Sequence, residues 1–279
     1  MSIFTQTTSL KSDLAITIID LLEKAGWTNI SSNYPTDFYV MNSKGETGDK
    51  DLYFQFRPTS TTNTNDVTST TATIMSYRLI NGYTPNETDG VAGTFARTTS
   101  EAWRTWQIAQ GTTVDPAVEL NLWFSINKDR AIFNIYTPES LSLLPTLFYI
   151  GLPTSYTSEP LSRGVVAYSS MTSSFSNVAH VSDNVPELPT SATSITLANQ
   201  IVLPPKSPNS AGIHTPVELS YGNASVGLRG KLDSLFFLPA NSINDGNILK
   251  QGNKRFRATQ LGVVSNNSFP TNCVIYQIS

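Results

Sequence analysis

Residues 119–137, ELNLWFSINKDRAIFNIYT, decide the fold of this chain. In the first half every second residue is apolar: Leu120, Leu122, Phe124 and Ile126. This is the period of a strand that turns one face toward a core. Polar residues at 127–130 interrupt the pattern and the alternation resumes at Ala131, which predicts a β-hairpin. Because Trp123 and Tyr136 lie on the opposite face, we expect the hairpin to lie centrally in a sheet covered on both sides.

The region before the hairpin contains one segment with the pattern of a helix. Ser9 or Ser12 could cap a helix over residues 13–25, and Gly26 is placed to end it. Trp27 follows this stop and is expected to fold back against the helix end. The apolar side of the predicted helix carries Leu10, Leu14, Ile18, Leu21 and Leu22.

Short apolar segments separated by turn residues make up much of the remaining chain. They predict strands at 37–41, 52–57, 73–80, 147–152, 165–168, 217–219, 232–238, 256–264 and 273–278. The predicted fold class is mainly β: an N-terminal helix, an antiparallel β-sheet or sandwich, and a second β-rich C-terminal region with long loops. The predicted domains are a helix plus antiparallel β domain at 1–170 and a loop-rich β region at 171–279, with an extended arm and a small β unit.

Composition limits the classes of partner. Charged residues are 14% of the chain, against about 25% in ordinary soluble proteins, and Ser, Thr and Asn take their place. A hydroxyl- and amide-rich surface favours contacts between subunits, although a monomer with such a surface stays an alternative. The net charge is −3 and no basic run exceeds Lys254-Arg255, which argues against direct nucleic-acid binding. We find no leader-peptide pattern and no long apolar run, so folding in a cytoplasm without membrane insertion is expected.

The residues that carry chemistry form no recognisable motif. The single cysteine, Cys273, excludes an internal disulfide and a multi-cysteine zinc site, and its apolar surroundings indicate a core residue. His180 and His214 have no metal-ligand spacing and are read as surface or loop residues. Acidic residues at 46–51 are read as a solvated turn rather than a calcium loop. The sequence therefore predicts no catalytic residue, no cofactor and no metal site.

Aromatic residues provide the only candidate contact site. Trp103 and Trp106, at spacing three, could share one side of a short helical turn or lie in a loop packed on the sheet. Core or loop packing is the preferred interpretation of both tryptophans, and the alternative is that, together with Tyr83, they stack on a glycan or a partner chain.

Four short motifs together resemble virion structural proteins of tailed bacteriophages. They are the helix end LLEKAGW at 21–27, the strand LYFQF at 52–56, the NKDR turn at 127–130 and the strand GNKRFRATQ at 252–260. The resemblance implies a β-rich, non-enzymatic tail or baseplate component, assembled in the host cytoplasm in symmetric copies. Its implied partners are copies of itself and other virion proteins.

Under this interpretation the polar stretches 60–71, 84–102 and 185–208 are arms that become ordered on partners. One alternative is a receptor- or carbohydrate-binding module of the virion that contacts a host surface glycan. Others are a capsid decoration or collar protein and, from a different class, a hydrolase of cell-wall polymer.

Overall fold

The computed structural model describes residues 3–31, 39–57, 73–80, 82–86, 88, 93–96, 104–108, 113–141, 145–151, 154–155, 165–170, 173–180, 196–197, 216–223, 227–239, 243–261 and 272–279. Within these ranges the chain is mainly β, with an N-terminal α-helix and antiparallel sheets, so the predicted fold class is confirmed. The predicted long loops receive no such support, because 60–71 and most of 84–102 and 185–208 lie outside the described residues.

The described elements are strands, apart from the helical segment near the start and a second 3₁₀ turn. In order they are β1 (Ile3–Leu10), a 3₁₀ turn (Lys11–Asp13), α1 (Leu14–Lys24), β2 (Thr28–Asn29), β3 (Tyr39–Ser43), β4 (Leu52–Arg57), β5 (Thr73–Ile80), β6 (Gly82–Thr84), β7 (Thr94–Ala96), β8 (Arg104–Gln107), β9 (Glu119–Ile126), β10 (Arg130–Tyr136), a second 3₁₀ turn (Glu139–Leu141), β11 (Thr146–Gly151), β12 (Thr154–Ser155), β13 (Val165–Ser170), β14 (Ser173–His180), β15 (Thr196–Leu197), β16 (Val217–Asn223), β17 (Gly227–Pro239), β18 (Ile248–Gln251), β19 (Lys254–Leu261) and β20 (Asn272–Gln277).

The predicted hairpin is formed by β9 and β10 and lies inside a six-stranded antiparallel sheet of order β1-β9-β10-β11-β13-β14. Ile126 pairs with Ala131 across the turn. The Asn127 side-chain oxygen accepts hydrogen bonds from the backbone N–H groups of Asp129 and Arg130, each at 2.9 Å. An asparagine that bonds the backbone two residues on is a common way to close a tight turn. The register of the hairpin is therefore fixed locally, as its sequence predicts.

Both faces of this central sheet are covered, which confirms the second expectation for the hairpin. Phe133 faces a core shared with α1 and with a five-stranded sheet of order β2-β3-β4-β5-β8. Its neighbour Ile132 faces a second core, shared with the sheet of order β15-β16-β17-β20-β19-β18, to which β12 also pairs. Since successive side chains of a strand point to opposite faces, β10 contributes to two cores at once. The three larger sheets therefore form a stack with the hairpin in the middle layer, and β6 and β7 form a separate two-stranded sheet.

The helix α1 begins at Leu14 and ends at Lys24, close to the predicted bounds. The predicted capping is wrong: no side-chain capping bond is present at Asp13, and Ser9 lies in β1 with its hydroxyl 3.0 Å from that of Thr17. Leu10, placed on the apolar side of the helix by its spacing, is 41% exposed because residue 10 is still extended. The helix end is as predicted, since Gly26 has φ +92° and Trp27 packs back into the core.

Strand β1 is absent from the sequence prediction. Its residues, IFTQTTSL, alternate in burial but carry few apolar side chains, so periodicity gives almost no signal. The strand owes its place to backbone pairing with β9, from Ile3 opposite Ile126 to Leu10 opposite Glu119. Pairing with a distant strand supplies hydrogen bonds that the local sequence cannot reveal.

Strand pairing crosses the predicted domain boundary near residue 170. Strands β13 and β14 lie on either side of it and pair in the central sheet. The second core also joins residues from both sides, including Ile132, Tyr149 and Tyr276. The division into domains 1–170 and 171–279 stays a prediction about independent folding. Within the described ranges, no helix has the length and apolar character needed to span a membrane.

Candidate functional site

A cluster of aromatic and polar side chains lies where the central hairpin meets the C-terminal sheet. We call it the Tyr136 cluster. Its members come from β9, β10, β19, β20 and the turn before β18: Trp123, Asn134, Tyr136, Asp245, Arg257, Thr259 and Tyr276.

The alternation of the strands places these side chains in one layer. Asn134 and Tyr136 are two residues apart on β10 and therefore share a face of the central sheet. Arg257 and Thr259 are likewise two residues apart on β19, and Tyr276 pairs directly with Arg257 from β20. The cluster thus forms between two facing sheets, at the edge of the second core.

Asn134 is the centre of the hydrogen-bond network. It is fully buried, and its amide nitrogen lies 3.0 Å from the Tyr136 hydroxyl and 3.4 Å from the Tyr276 hydroxyl. The same nitrogen also contacts the Thr259 hydroxyl. The amide oxygen of Asn134 is buried and has no hydrogen-bond partner among the described residues. Burying a polar atom is favourable only when it finds a partner, and the partners of the amide nitrogen come from both sheets. Asn134 therefore ties β10 to β19 and β20.

Arg257 closes the cluster on its aromatic side. Its guanidinium carbon lies 4.0 Å from the centroid of the Trp123 ring and 5.5 Å from that of Tyr136. One guanidinium nitrogen donates to the carbonyl oxygen of Gly246 at 3.2 Å. Phe4 stacks on Trp123 with a centroid distance of 6.0 Å. A cation that is held over aromatic faces and removed from water stabilises the packing of the elements that carry them.

Burial sets the protonation states in this cluster. Desolvation, helped by the nearby Asp245 carboxylate, raises the pKa of Tyr136 to about 12, and burial also raises the pKa of Tyr276. Both phenols are therefore neutral hydrogen-bonding groups at pH 7. Desolvation raises the pKa of the Asp245 carboxyl. The backbone N–H of Gln260 donates a hydrogen bond to this carboxyl at 3.0 Å, which lowers the pKa but does not cancel the increase. In these protonation states the groups are suited to holding sheets together.

Replacing Tyr136 with phenylalanine is expected to lower the free energy of unfolding by about 1–3 kcal/mol, because the buried Asn134 and Thr259 lose a half-buried hydrogen-bond partner. Urea denaturation of the purified chain measures this. The matched control is Tyr39→Phe, at a half-buried tyrosine of β3 outside the cluster. Equal losses in the two variants would contradict a special role for the Tyr136 hydroxyl.

Replacing Asp245 with asparagine tests the raised carboxyl pKa. A carboxyl whose pKa is raised by folding makes the native state less stable as pH rises from below 3.8 through the raised value. The asparagine variant lacks this loss. We therefore expect its stability, relative to the native chain, to be higher at pH 7 than at pH 3 in thermal unfolding. Asp20→Asn, at an exposed position of α1, is the reference.

A second polar group lies at an irregular part of β17. Ser220 of β16 pairs with Lys231 of β17, and Glu218 of β16 pairs with Phe236. Residues 232–235 of β17 therefore bulge out of the pairing with β16. The bulge contains Ser234, whose φ is +67°. Asp233 beside it accepts hydrogen bonds from the Thr154 hydroxyl at 2.7 and 2.8 Å. Through this contact the bulge holds the short strand β12 against the C-terminal sheet.

The acidic turn docks on the turn of the central hairpin. Its carboxylates, at residues 46, 49 and 51, are on exposed residues, as expected for a solvated turn. The backbone N–H of Glu46 donates to the Asp129 carboxylate at 3.0 Å, and Asp51 forms an ion pair with Lys44. Among the described residues, no group of three histidine, cysteine or acidic side chains could hold a metal ion.

The structure places two of the three candidate contact residues in the interior. Trp106 is 0% exposed, stacks on Phe148 at 4.3 Å, and donates its indole N–H to the Thr146 hydroxyl at 3.2 Å. It lies in strand β8, so the expected helical turn or loop is wrong. Tyr83 is buried in β6, and its hydroxyl accepts the backbone N–H of Gly93 at 2.9 Å. Trp103 lies outside the described residues.

The cysteine and the two histidines were the other residues considered for chemistry in the sequence. Cys273 is buried in β20, as expected of a core residue, and desolvation raises the pKa of its thiol to about 12. His180 ends β14 rather than lying in a loop, and His214 lies outside the described residues.

Sequence reasoning did not identify the Tyr136 cluster. It singled out Trp123 and Tyr136 only as aromatics on the second face of the hairpin. Their partner Arg257 is 121 residues away from Tyr136 along the chain. The only local signal was that both faces of the hairpin carry large side chains.

Comparison of the chain with protein-family models and with curated protein sequences found no match.

Proposed function

We propose that this chain is a structural component of a tailed-bacteriophage virion, in the tail or baseplate, and that it acts by assembling with copies of itself and with other virion proteins. The proposal includes assembly in the host cytoplasm and no enzymatic role. The observation that carries it is the use of the central hairpin: one strand, β10, is shared by two cores and is also tied to the C-terminal sheet by the Tyr136 cluster.

Sheets that are held firmly to one another suit a subunit that must keep its shape while it contacts neighbouring subunits. The Asn134 network forms only when the central and C-terminal sheets are both in place, so these two sheets are coupled to one another. Three residues of the cluster are fully buried and are engaged between the sheets: Asn134, Thr259 and Tyr276. These buried polar side chains thus join the central sheet to the C-terminal sheet.

The composition supports the same proposal. Few charges and many hydroxyl and amide groups lower the desolvation cost when surfaces of neighbouring copies come together. The resemblance of four segments to virion structural proteins adds an independent reason. The glycan-binding alternative has less support, because Tyr83 and Trp106 are buried and engaged within the fold.

Immunogold electron microscopy tests the proposal. Antibodies against the purified chain are applied to purified particles of the phage whose genome encodes it, with antigen-absorbed antibody as control. We expect label at the tail or baseplate. Label at the head or collar would instead support the capsid alternative. Absence of the chain from purified particles, by both labelling and mass spectrometry, would contradict a virion role altogether.

A further inference from the structure

The edge strand β1 has the properties of a pairing surface. It forms one end of the six-stranded central sheet and, in the described part of the chain, pairs only with β9. Its pairing with β9 runs through eight consecutive residues without a register shift. An edge strand of this kind presents a row of backbone N–H and C=O groups on its outer side.

Strand β1 lacks the features with which proteins protect such edges. Natural edge strands are blunted by charged side chains, proline, bulges or very short length. The segment IFTQTTSL has no charged residue and no proline. Four of its residues, Thr5, Gln6, Thr8 and Leu10, are exposed.

Other described sheet edges are protected by comparison. Strands β2 and β15 are two residues long. Strands β8 and β18 are four residues long and carry Arg104 and Lys250 respectively. Strand β14, at the other end of the central sheet, is also eight residues long without an Asp, Glu, Lys or Arg residue and without proline, but its pairing with β13 contains a register shift. Strand β1 therefore differs from all these edges in combining length, regular pairing and lack of charge, which favours coverage of its outer side by another strand.

We propose that β1 pairs antiparallel with β1 of a second copy of this chain, around a two-fold axis at Thr7, so that two central sheets become one continuous sheet. This inference rests on the proposed assembly function and names its first contact. In a two-fold interface the same surface lies on both sides, so charged residues near the axis would face like charges. A strand without charge avoids this repulsion.

The register follows from the geometry of the two-fold axis. An axis that relates neighbouring antiparallel strands is perpendicular to the sheet and leaves each face on its own side. Paired side chains also share a face, so each residue must pair with one an even number of positions away. The axis therefore passes through a residue, and the residues nearest the middle of β1 are Gln6 and Thr7.

Side-chain matching selects Thr7. With the axis there, Phe4 lies opposite Leu10 of the partner copy, and Gln6 lies opposite Thr8. The pairing brings Leu10, an exposed large apolar residue at 41% exposure, against an aromatic ring. Aromatic–aliphatic cross-strand pairs are among those that stabilise antiparallel sheets. An axis at Gln6 leaves Leu10 beyond the paired residues and places Phe4 opposite a threonine.

Cysteine cross-linking of the full-length chain tests the register. Thr7→Cys brings two thiols directly opposite each other, with Cα atoms about 4.5–5.5 Å apart, within the range of a disulfide. Gln6→Cys leaves its two copies diagonal, about 7–8 Å apart, beyond that range. The single native cysteine, Cys273, is buried and does not compete. Under mild oxidation we expect at least about tenfold more covalent dimer from Thr7→Cys than from Gln6→Cys.

A charge variant tests the interface without cross-linking. Gln6→Lys with Thr8→Lys puts ammonium groups opposite each other across the axis and blunts the edge, so we expect the dimer Kd to rise about tenfold or more. Sedimentation velocity over a concentration series measures it. The matched control, Thr28→Lys with Gln251→Lys, adds the same charge at exposed residues of β2 and β18. Circular dichroism checks that both variants are folded.

The outcomes separate this inference from the proposed function. A monomeric wild-type chain, preferential cross-linking of Gln6→Cys, or equal effects of the two charge variants would each overturn the Thr7-centred pairing. None of these results would contradict the proposed virion function, because immunogold labelling tests that function separately. Conversely, a Thr7-linked dimer from a chain that is absent from particles would uphold the pairing and overturn the virion function.

Discussion

The Trp106→Ala variant is expected to be less stable than the native chain by about 3–5 kcal/mol, the range for removing a large aromatic side chain from a close-packed core. The ring is 0% exposed and stacks on Phe148 at a centroid distance of 4.3 Å. Its loss leaves a cavity between β8 and the central sheet and removes the hydrogen bond to Thr146. Denaturation in urea, with the midpoint and slope both fitted, measures the change.

Trp106→Phe separates packing from the indole hydrogen bond. It keeps most of the ring and is expected to lose less than half as much stability as Trp106→Ala. A glycan-contact role for Trp106 makes the opposite prediction, namely a near-native stability in the alanine variant with loss of glycan binding. A stability loss below about 1 kcal/mol for Trp106→Ala would therefore contradict the interior position of this residue.

The second large effect is expected at Ile132, whose side chain faces the core between the central and C-terminal sheets. Replacement with alanine should lower the free energy of unfolding by about 2–5 kcal/mol, the usual range for a buried aliphatic residue. Because this core joins residues from both sides of position 170, we expect a single unfolding transition that shifts as a whole. Far-ultraviolet circular dichroism and tryptophan fluorescence should report the same midpoint.

Phe133→Ala provides the companion experiment, because Phe133 lies next to Ile132 and faces the other core. Both variants should shift the same transition if the three layers unfold together. The matched surface control is Ile16→Ala, at an isoleucine of α1 that is 37% exposed and should cost little. Two separate transitions, with only one of them moved by Ile132→Ala, would contradict coupling of the layers and favour the predicted division near residue 170.

The stability and cross-linking experiments address different levels of the molecule. Trp106, Ile132 and Phe133 test how layers are held within one chain. The β1 variants test how a second chain could extend the central sheet. Strand β9 connects the two levels, since it pairs with β1 on one side and with β10 on the other.

The local sequence determined those elements that have a clear apolar alternation or a characteristic turn residue. Strands predicted at 52–57 and 73–80 coincide with β4 and β5, and the central hairpin has the predicted turn. In each case alternation over five or more residues distinguishes a buried face from its opposite. The end of α1 at Gly26 was equally readable, since a positive φ favours glycine.

Tertiary structure alone decided the features that depend on distant partners. Strand β1 has little apolar alternation and becomes a strand by pairing with β9, more than a hundred residues later. Trp106 could have been a surface platform by its spacing, and only the packing of β8 against Phe148 makes it a core residue. The Tyr136 cluster joins residues up to 142 positions apart, through the contact between Asn134 and Tyr276. Periodicity tells which face of a strand is apolar, but the neighbour that covers that face is chosen by non-local pairing and packing, for which the local sequence has no signal.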